Sequence, residues 1–498
     1  MRFEASAWAG QVVVIDEVAQ VLHHAVMTRK TSVAERREEV LEQLSKLLKN
    51  AAQVIVADAQ LSDAVLALLE ELCGCKALLI GSKRRPAEGR ELTVYRHRDP
   101  WRKVLTNHIE RRQRLWIATT AQKGESDNAA QNLAVLVIKK WPEARVLVVD
   151  SETIDDPEHP AAQLATNANE VASRFDVVIC TPAVAAGLSV TLPDHFDAVF
   201  GYFGGATDAA AAAQALARVR SGCPRHVYAA PESPGGTLKV GSGSRSALQL
   251  LDHLATHEAQ CVLQLLRWGW HRDTSKVGTW LTLWGELGAQ QNRQRENYRS
   301  TVLGLLRREG YQLRWSAHEV TSEAKAIGLE LKAIAKERTA AEDQQLIKTP
   351  LLSDPEAKDL KQQKQRRKLK PDEKRLLRRW QVARDWALND RKPTAQVLEA
   401  NREHSPLNRR LRFGWLLLNP EGRSSVTTTD FRKALHLRNE TKTWAPDLCR
   451  VMEGPRIGVA DLLGLPQWLE RNEWFDRDDA ELKQLQQLAQ EHSVLIQQ

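Results

Sequence analysis

Two acidic residues that follow an apolar run are the first candidates for chemistry in this sequence. Residues 12–18 read VVVIDEV, so Asp16 and Glu17 stand where a buried strand would end. A carboxylate in that position can hold Mg²⁺ through water, and a second one can orient a water molecule for attack on a phosphate. Asp16 fits the first role and Glu17 the second. A plain strand-to-loop turn is the alternative, because apolar strands commonly end in acidic residues.

A second apolar run, QVIVAD (53–58), ends in Asp58. Functional groups gather at the carboxyl ends of the strands of a parallel sheet, so Asp58 is expected beside Asp16 and Glu17. The alternative is an N-cap for the following helix, although Ser62 or Asp63 fits that cap better.

Two further segments have residue types suited to binding anions. In VVICTPAVAAGLSV (177–190) an apolar strand is followed by small residues and Gly187, which let a phosphate or another chain approach the backbone. In QALARVR (214–220) an Ala-rich helix ends in Arg218 and Arg220, and arginine suits anion binding. A strand-to-helix turn and a surface helix are the respective alternatives.

These segments belong to an alternation of short apolar runs with helical stretches over residues 11–230, which predicts an α/β fold with a parallel sheet. The predicted strands are 11–16, 53–58, 76–81, 92–96, 114–120, 145–151, 176–183, 196–203 and 225–230. Beyond residue 245 the pattern is helical, with main candidates at 248–268, 289–309, 321–347, 353–368 and 371–389.

Together the four segments resemble motifs II, III, V and VI of superfamily 2 helicases. The forms TPAVAAGLSV (181–190) and QALARVR resemble the herpesvirus-type origin-binding helicases and, more closely, the large replication proteins of cyanobacterial plasmids. The resemblance covers residues 11–230 and is looser over 245–498, where it depends on segments such as WGELGAQQNRQRENYRSTVLGLLRREGY (284–311).

The resemblance implies two RecA-like lobes that couple ATP hydrolysis to movement on single-stranded or origin duplex DNA. It implies Asp16 for Mg²⁺, Glu17 for activation of water, and Arg218 and Arg220 as arginine fingers. The remaining implied roles are nucleotide binding for Gln214 and Gly187, coupling for Asp58 and Gln20, and DNA contact for Thr181.

One motif of that family is missing from the sequence. No G-x-x-x-x-G-K-[ST] loop occurs, and only 15 residues precede Asp16. Since that loop cradles the phosphates, the first lobe is expected to be incomplete. The chain is accordingly interpreted as the C-terminal portion of a longer protein, whose N-terminal segment is a required partner, or as a decayed copy. It is expected to hydrolyse ATP poorly by itself.

The predicted domains are an incomplete first lobe (1–98), a second lobe (99–232) and a helical accessory region (245–498). The net charge is +8, and the basic segment 358–379 has 11 Lys and Arg against three Asp and Glu, which indicates a polyanion partner. A solvated helix face, with its tryptophan in the core, is the alternative. The predicted nucleic-acid contacts in this segment and at its end are Lys364, Arg366, Arg367, Lys368, Arg378, Arg379 and Trp380.

Composition excludes several classes of protein. No run of about 18 apolar residues occurs, which argues against a membrane span. The first residues lack the pattern of a signal peptide, and six cysteines in 498 residues do not form a disulfide framework, so a cytoplasmic location is expected. The leading interpretation is part of an ATP-dependent DNA helicase or replication initiator of a plasmid or phage-like element. A non-catalytic DNA-binding replication module and an RNA-directed helicase are the alternatives.

Overall fold

The computed structural model describes the greater part of the chain. The described residues are 4–28, 31–59, 61–121, 126–182, 188–234, 239–255, 278–403, 405–426, 428, 457–458, 460–461, 463–470, 480–481, 483–484 and 487.

The chain divides into two compact units, each assembled from separate stretches of sequence. The first unit comprises Met1–Ile80, Val240–Gln290 and Ser405–Gln498, and the second comprises Gly81–Lys239 and Gln291–His404. The predicted boundaries at 98, 232 and 245 differ from this division. Residues 81–98 and 291–404 belong to the second unit, because two strands from those ranges are part of its sheet and helices from them pack on it.

The described elements alternate between strands and helices up to residue 229 and are mostly helical afterwards. The strands are β1 (Val12–Asp16), β2 (Gln53–Ala57), β3 (Glu91–Tyr95), β4 (Leu115–Thr119), β5 (Val146–Val149), β6 (Val177–Cys180), β7 (Ala198–Phe203), β8 (Arg225–Ala229) and β9 (Gln312–Trp315). The helices are α1 (Val18–Met27), α2 (Ser32–Glu35), α3 (Arg37–Asn50), α4 (Asp63–Cys73), α5 (Arg98–Glu110), α6 (Ala130–Lys140), α7 (Pro160–Gln163), α8 (Ala168–Ser173), α9 (Ala209–Ala217), α10 (Thr279–Glu296), α11 (Tyr298–Arg308), α12 (Ser322–Lys348), α13 (Asp354–Arg366), α14 (Pro371–Asp385), α15 (Ala395–Glu403), α16 (Ser405–Leu418) and α17 (Leu465–Glu470), with a 3₁₀ turn at Ala5–Trp8.

A seven-stranded parallel sheet forms the centre of the second unit, with the strand order β5–β6–β4–β7–β8–β3–β9. Every residue of β4, β6 and β7 is buried. Near-continuous Val, Ile and aromatic residues allow this, since a parallel strand is normally covered on both faces. The predicted α/β class with a parallel sheet and a helical C-terminal region is confirmed.

Helices cover both faces of this sheet. Trp116 and Ile117 are neighbours in β4 and belong to two different cores, because successive side chains of a strand point to opposite faces. Helices α9 and α11 pack on the face of Trp116. Helices α5, α6 and α12 pack on the face of Ile117. All functional groups of this unit must therefore emerge at the ends of its strands.

The first unit contains a two-stranded parallel sheet, β1 and β2, in which exposed residues alternate with partly buried ones. Helices α1, α3 and α4 cover its inner face. On the outer face Val12, Val14 and Ile55 are 55%, 69% and 45% exposed. The strands β1 and β2 have the apolar composition of a sheet that is packed on both faces. Within the described residues, only their inner face is packed.

Two expectations about strands are wrong. Residues 76–81 form no strand, and Leu78, Leu79 and Ile80 are exposed, because no described strand lies beside them to pair with. The edge strand β9 was not predicted. Its sequence QLRW is short and partly charged, and three of its four residues are exposed.

The predicted helices 321–347, 353–368 and 371–389 agree in place with α12, α13 and α14. Most of the predicted helix 248–268 lies outside the described residues. The predicted helix 289–309 is two helices, α10 and α11, separated at Asn297, whose backbone is not helical. Helix α13 begins with a capping box between Ser353 and Glu356, and α14 begins with Pro371 in its first turn, as expected. None of the described helices combines the length and the apolar composition required to cross a bilayer.

A glycine pair tests how tightly the turn after β7 is packed. Gly205 has φ +80°, and a methyl group there would lie 2.7 Å from the Ser233 Cα atom. We expect Gly205→Ala to lower the free energy of unfolding by roughly 2–4 kcal/mol through backbone strain and this clash. Gly304 in α11 has open space around it. The Gly304→Ala substitution should therefore raise the free energy of unfolding by about 0.5–1 kcal/mol. Urea denaturation of the full chain measures both, and equal effects would contradict the packing described.

Candidate functional site

Three predicted acidic residues meet at the carboxyl edge of the small sheet. Because β1 and β2 run in parallel with Asp16 opposite Ala57, Asp58 follows at the same edge as Glu17. The Asp58 Oδ2 atom accepts a hydrogen bond from the backbone N–H of Ala19 at 2.8 Å. The structure therefore brings Asp58 next to the turn that carries Asp16 and Glu17.

The turn between β1 and α1 is strained. Glu17 has a left-handed backbone conformation, with φ 51° and ψ 48°, which costs a non-glycine residue about 1–2 kcal/mol. Its N–H donates to the Asp16 Oδ1 atom at 3.0 Å. Helix α1 begins at the next residue, and Asp58 supplies a carboxylate at the helix end where the dipole favours negative charge. A strained backbone conformation such as that of Glu17 persists only where the surrounding structure holds it, and such positions are frequent at functional sites.

The Asp16 carboxylate is accessible enough to contact Mg²⁺ through water. The Asp16 side chain is exposed, and among the described residues its carboxylate accepts one hydrogen bond, from the adjacent Glu17 N–H. Gln20, in the first turn of α1, is exposed as well. No group of three or more His, Cys, Asp or Glu side chains in the described part of the chain is arranged to hold a metal directly. A shared site, with phosphate and water as the other ligands, fits this arrangement.

At the carboxyl end of β6, Thr181 is held firmly in place. Its backbone N–H and its Oγ1 atom both donate to the Val149 carbonyl oxygen, at 2.9 and 3.3 Å. The residue is 3% exposed. These bonds fix where the chain leaves the sheet. The predicted Gly187 lies outside the described residues.

A short parallel bridge joins the segment that follows β6 to the end of α9. Val190 donates from its N–H to the Arg218 carbonyl oxygen, and Arg220 donates from its N–H to the Val190 carbonyl oxygen, both at 2.8 Å. Val190 and Val219 face each other in this bridge and are fully buried. The third and fourth candidate segments are consequently parts of one local structure.

The two candidate arginines have different surroundings at this bridge. Burial raises the pKa of the Cys180 thiol, and the charge of the nearby Arg218 partly offsets that rise. Arg220 is exposed, and its Nε atom donates to the Ser189 Oγ atom at 3.2 Å. Gln214 is exposed on α9, one turn before Arg218. Arg218 therefore lies at the end of β6, and Arg220 is held by the segment after it.

Glu309 is a residue of this region that the sequence did not reveal. Burial raises the pKa of its carboxyl to about 7, and the positive charge of Arg220 opposes that rise. The Glu309 carbonyl oxygen accepts a hydrogen bond from the Ala87 N–H at 2.9 Å. No sequence signal identifies such a residue, because Glu309 is distant from Arg220 in sequence and follows an ordinary helix.

Part of the basic segment has free charge on its surface. Lys364, Arg366 and Arg378 are exposed and form no ion pair among the described residues. Arg367 is paired with Glu373 at 2.6 Å. Lys368 is paired at 3.2 Å with an aspartate outside the basic segment. The exposed charge is therefore smaller than the sequence suggests.

Arg379 and Trp380 correct the predicted interface, because both are buried, at 1% and 7% exposure. Arg379 donates to the Arg391 carbonyl oxygen at 2.9 Å. The Trp380 Nε1 atom donates to Asp354 at 2.9 Å, and the Lys361 ammonium lies 3.9 Å from the Trp380 ring centroid. The ring therefore joins α13 to α14 and has no free face for a base.

Two contacts between aromatic rings and arginines near the carboxyl edge of the large sheet were also not predicted. The rings of Tyr202 and Tyr228 stack at 5.3 Å, and the Arg299 guanidinium lies 5.7 Å from the Tyr228 ring. On the opposite face, the Arg96 guanidinium lies 5.2 Å from the Trp315 ring. Because these residues come from three strands, from the residue after β3 and from one helix, only the fold brings them together.

No protein-family model matches the chain. An uncharacterized protein of Picosynechococcus sp. (strain ATCC 27264 / PCC 7002 / PR-6) is 28% identical over 491 residues, which cover 94% of this chain and 47% of that protein. The chain thus spans about half the length of this relative.

Among solved structures, a Saccharomyces cerevisiae Dbp5 variant bound to a Gle1 variant and IP6 is similar over 44% of this chain and 51% of that chain. The TM-score is 0.30 and the sequence identity is 16%. A likeness at this level carries no conclusion about function.

Glu309 should make the stability of the chain depend on pH. Because the folded-state pKa is raised to about 7 from 4.5, the stabilising contribution is complete below pH 4.5 and is lost as the pH rises through 7. We expect Glu309→Gln to gain roughly 2–3 kcal/mol relative to the unmodified chain between pH 4.5 and 7.5. Urea unfolding at a series of pH values measures this difference.

The Arg220→Ala variant provides the control for this measurement. Without the guanidinium that opposes the rise in pKa, the pH-dependent loss of stability should become larger. Parallel stability curves for the unmodified chain and Glu309→Gln would show that the carboxyl is not buried as described.

Proposed function

We propose that this chain is the C-terminal portion of an ATP-dependent DNA helicase or replication initiator of a plasmid or phage-like element. The observation that carries the proposal is the carboxyl edge of β1 and β2, where Asp16, Glu17 and Asp58 meet at one strained turn. Phosphoryl transfer needs one carboxylate for Mg²⁺ and another for the attacking water at such an edge.

Each acidic residue has a role that its surroundings support. Exposed Asp16 would hold Mg²⁺ through water, and the ion would neutralise charge on the phosphates of ATP. Glu17, at the strained turn, would orient the attacking water. Asp58 joins the end of β2 to the first turn of α1 through Ala19. With Gln20 it would couple events at the phosphates to movement of α1.

The bridge between residues 190 and 219 supports the second half of the proposal. It places the ends of two candidate segments against each other, so a displacement of one must move the other. Arg218 and Arg220 would stabilise charge on the γ-phosphate, and Gln214 and Gly187 would contact the nucleotide. Thr181 is 3% exposed at the adjacent strand end, so it would position the chain that leaves β6 rather than contact DNA itself.

The phosphate-cradling loop is proposed to come from another segment of the same protein, outside this chain. The outer face of β1 and β2 supports this, because Val12, Val14 and Ile55 present apolar side chains that a parallel sheet would normally cover. A further strand and helix layer would bury these side chains and would complete the phosphate site.

The alternative is a non-catalytic DNA-binding module with vestigial ATPase motifs. The absence of a G-x-x-x-x-G-K-[ST] loop from the sequence favours it. In that case the exposed Lys364, Arg366 and Arg378 would hold DNA, and the acidic turn would have no role in binding.

The affinity for single-stranded DNA with and without ATP and Mg²⁺ separates these functions. We expect the unmodified chain to bind a labelled oligothymidine, and we expect ATP with Mg²⁺ to change this affinity several-fold. In the Arg218→Ala variant, ATP with Mg²⁺ should leave the affinity unchanged. Fluorescence anisotropy measures it, with Arg308→Ala, an exposed arginine at the end of α11, as the control.

Each other outcome of this titration has a definite meaning. Binding that ignores nucleotide in the unmodified chain favours the non-catalytic module. Absence of binding at low salt contradicts both functions. ATP turnover at the rate of an intact helicase would contradict the requirement for a separate phosphate loop.

The exposed part of the basic segment should determine how DNA binding depends on salt. Since each phosphate contact releases about 0.7 counterions from a single strand, Lys364→Gln combined with Arg366→Gln should flatten the slope of log affinity against log salt by about 1–1.5. Lys332→Gln with Lys336→Gln, two exposed lysines on α12, is the matched control. An unchanged slope in the first variant would make this segment a solvated helix face.

A further inference from the structure

Trp315 has the position of a binding residue rather than a core residue. It is the last residue of the edge strand β9, opposite Val94 of β3, and 45% of it is exposed. Among the described strands β9 pairs with β3 alone. An indole that is half exposed at the carboxyl end of a parallel strand lies where open α/β sheets bind their ligands.

Positive charge accompanies this ring. The Arg96 guanidinium lies 5.2 Å from the centroid of the Trp315 ring, within the range of a cation–π contact. Arg98, at the start of α5, is half exposed, and His318 is exposed three residues after Trp315. Glu319 adds one exposed negative charge beyond them. The Arg96 guanidinium is therefore the charge in contact with the ring, and Arg98, whose Nε atom lies 4.0 Å from the Asp99 carboxylate, follows it by two residues.

The backbone beneath this cluster is fixed by Arg299. Its Nε atom donates to the Ala229 carbonyl oxygen at 2.7 Å, and its Nη2 atom donates to the Arg96 carbonyl oxygen at 2.9 Å. These two bonds tie the ends of β8 and β3 together. Arg96 and Trp315 are thus held by the sheet itself, so a ligand would meet a preorganised surface.

Tyr228 and Tyr202 do not extend this platform. Trp315 is paired with Val94, whereas Tyr228 is paired with the next residue, Tyr95, and with Tyr202, so these two rings lie on the opposite face of the sheet from Trp315. They belong to the core on that face, where Tyr202 is 8% exposed. The aromatic surface that a ligand can reach at this edge is therefore Trp315 with Arg96.

We propose that Trp315 and Arg96 form a stacking platform for a base of a single-stranded nucleic acid, with Arg98 near the adjoining phosphate. This inference rests on the proposed function, since it names one contact of the nucleic acid that the chain would bind. Bases of any sequence stack on aromatic rings, and arginine adds a charge contact to the same strand. The platform should therefore favour single strands without preference for sequence.

The test compares two oligonucleotides, a labelled 12-mer of thymidine and a 12-mer of the same length without bases. We expect Trp315→Ala and Trp315→Leu to weaken binding of the thymidine oligonucleotide roughly 5- to 100-fold. Neither should change the affinity for the abasic one, because the ring contacts bases. Trp315→Tyr should retain most of the affinity. Trp415→Ala, a tryptophan that is 55% exposed on α16, is the control.

The outcomes separate this inference from the function on which it rests. If the unmodified chain binds neither oligonucleotide, the nucleic-acid function fails and the platform fails with it. If the unmodified chain binds but Trp315→Ala binds equally well, only the platform is overturned. Equal losses on both oligonucleotides would also overturn it, since they would indicate a structural role. Urea unfolding of each variant identifies any loss of fold, and Trp315→Leu preserves apolar bulk at the edge strand.

Discussion

A parallel β-strand must be covered on both faces, and this requirement determines where the protein can place polar chemistry. In the second unit it is met completely, because β4, β6 and β7 are buried at every residue between two helical layers. Side chains within these strands are committed to packing. Polar and charged groups therefore collect at and beyond the strand ends, at Thr181, at the bridge of residues 190 and 219, and at the contact of Arg96 with Trp315.

In the small sheet of β1 and β2, the described helices cover one face and not the other. This affects the packing of the sheet but not the geometry of the acidic turn at its edge. Val12, Val14 and Ile55 remain exposed on the outer face. The acidic turn does not depend on that face, because its geometry follows from the parallel register and from the bonds of Asp16 and Asp58 to the start of α1. A site can thus be preformed at a sheet edge whose covering layer is incomplete, although its function would still need the phosphate loop.

The pattern of apolar and polar residues along short stretches of sequence predicted most of the strands. Runs of Val and Ile predicted eight of the nine strands, and two strands ending in acidic residues predicted that Asp58 would lie near Asp16. The apolar run at 76–81 has the same composition, but no described strand pairs with it, so the prediction of a strand there is wrong. The edge strand β9 needs less apolar character because one side faces solvent, so it was missed. The two units escaped prediction because each is assembled from segments far apart in sequence, which only tertiary contacts reveal.

The basic segment shows that the density of charge in a sequence does not measure the charge exposed in the structure. Its density of Lys and Arg suggested a continuous binding surface, yet Arg367 and Lys368 are ion-paired, and Trp380 is buried under Lys361. Some of these closely spaced charged side chains form ion pairs within the protein and are therefore not available to a partner. Arg96 and Trp315 carry fewer charges and are distant in sequence, but the sheet brings them together at its carboxyl edge, where Arg299 fixes the Arg96 backbone. For recognition of a flexible single strand, preorganisation of a few groups contributes more to affinity than a larger number of mobile ones, because less conformational entropy is lost on binding.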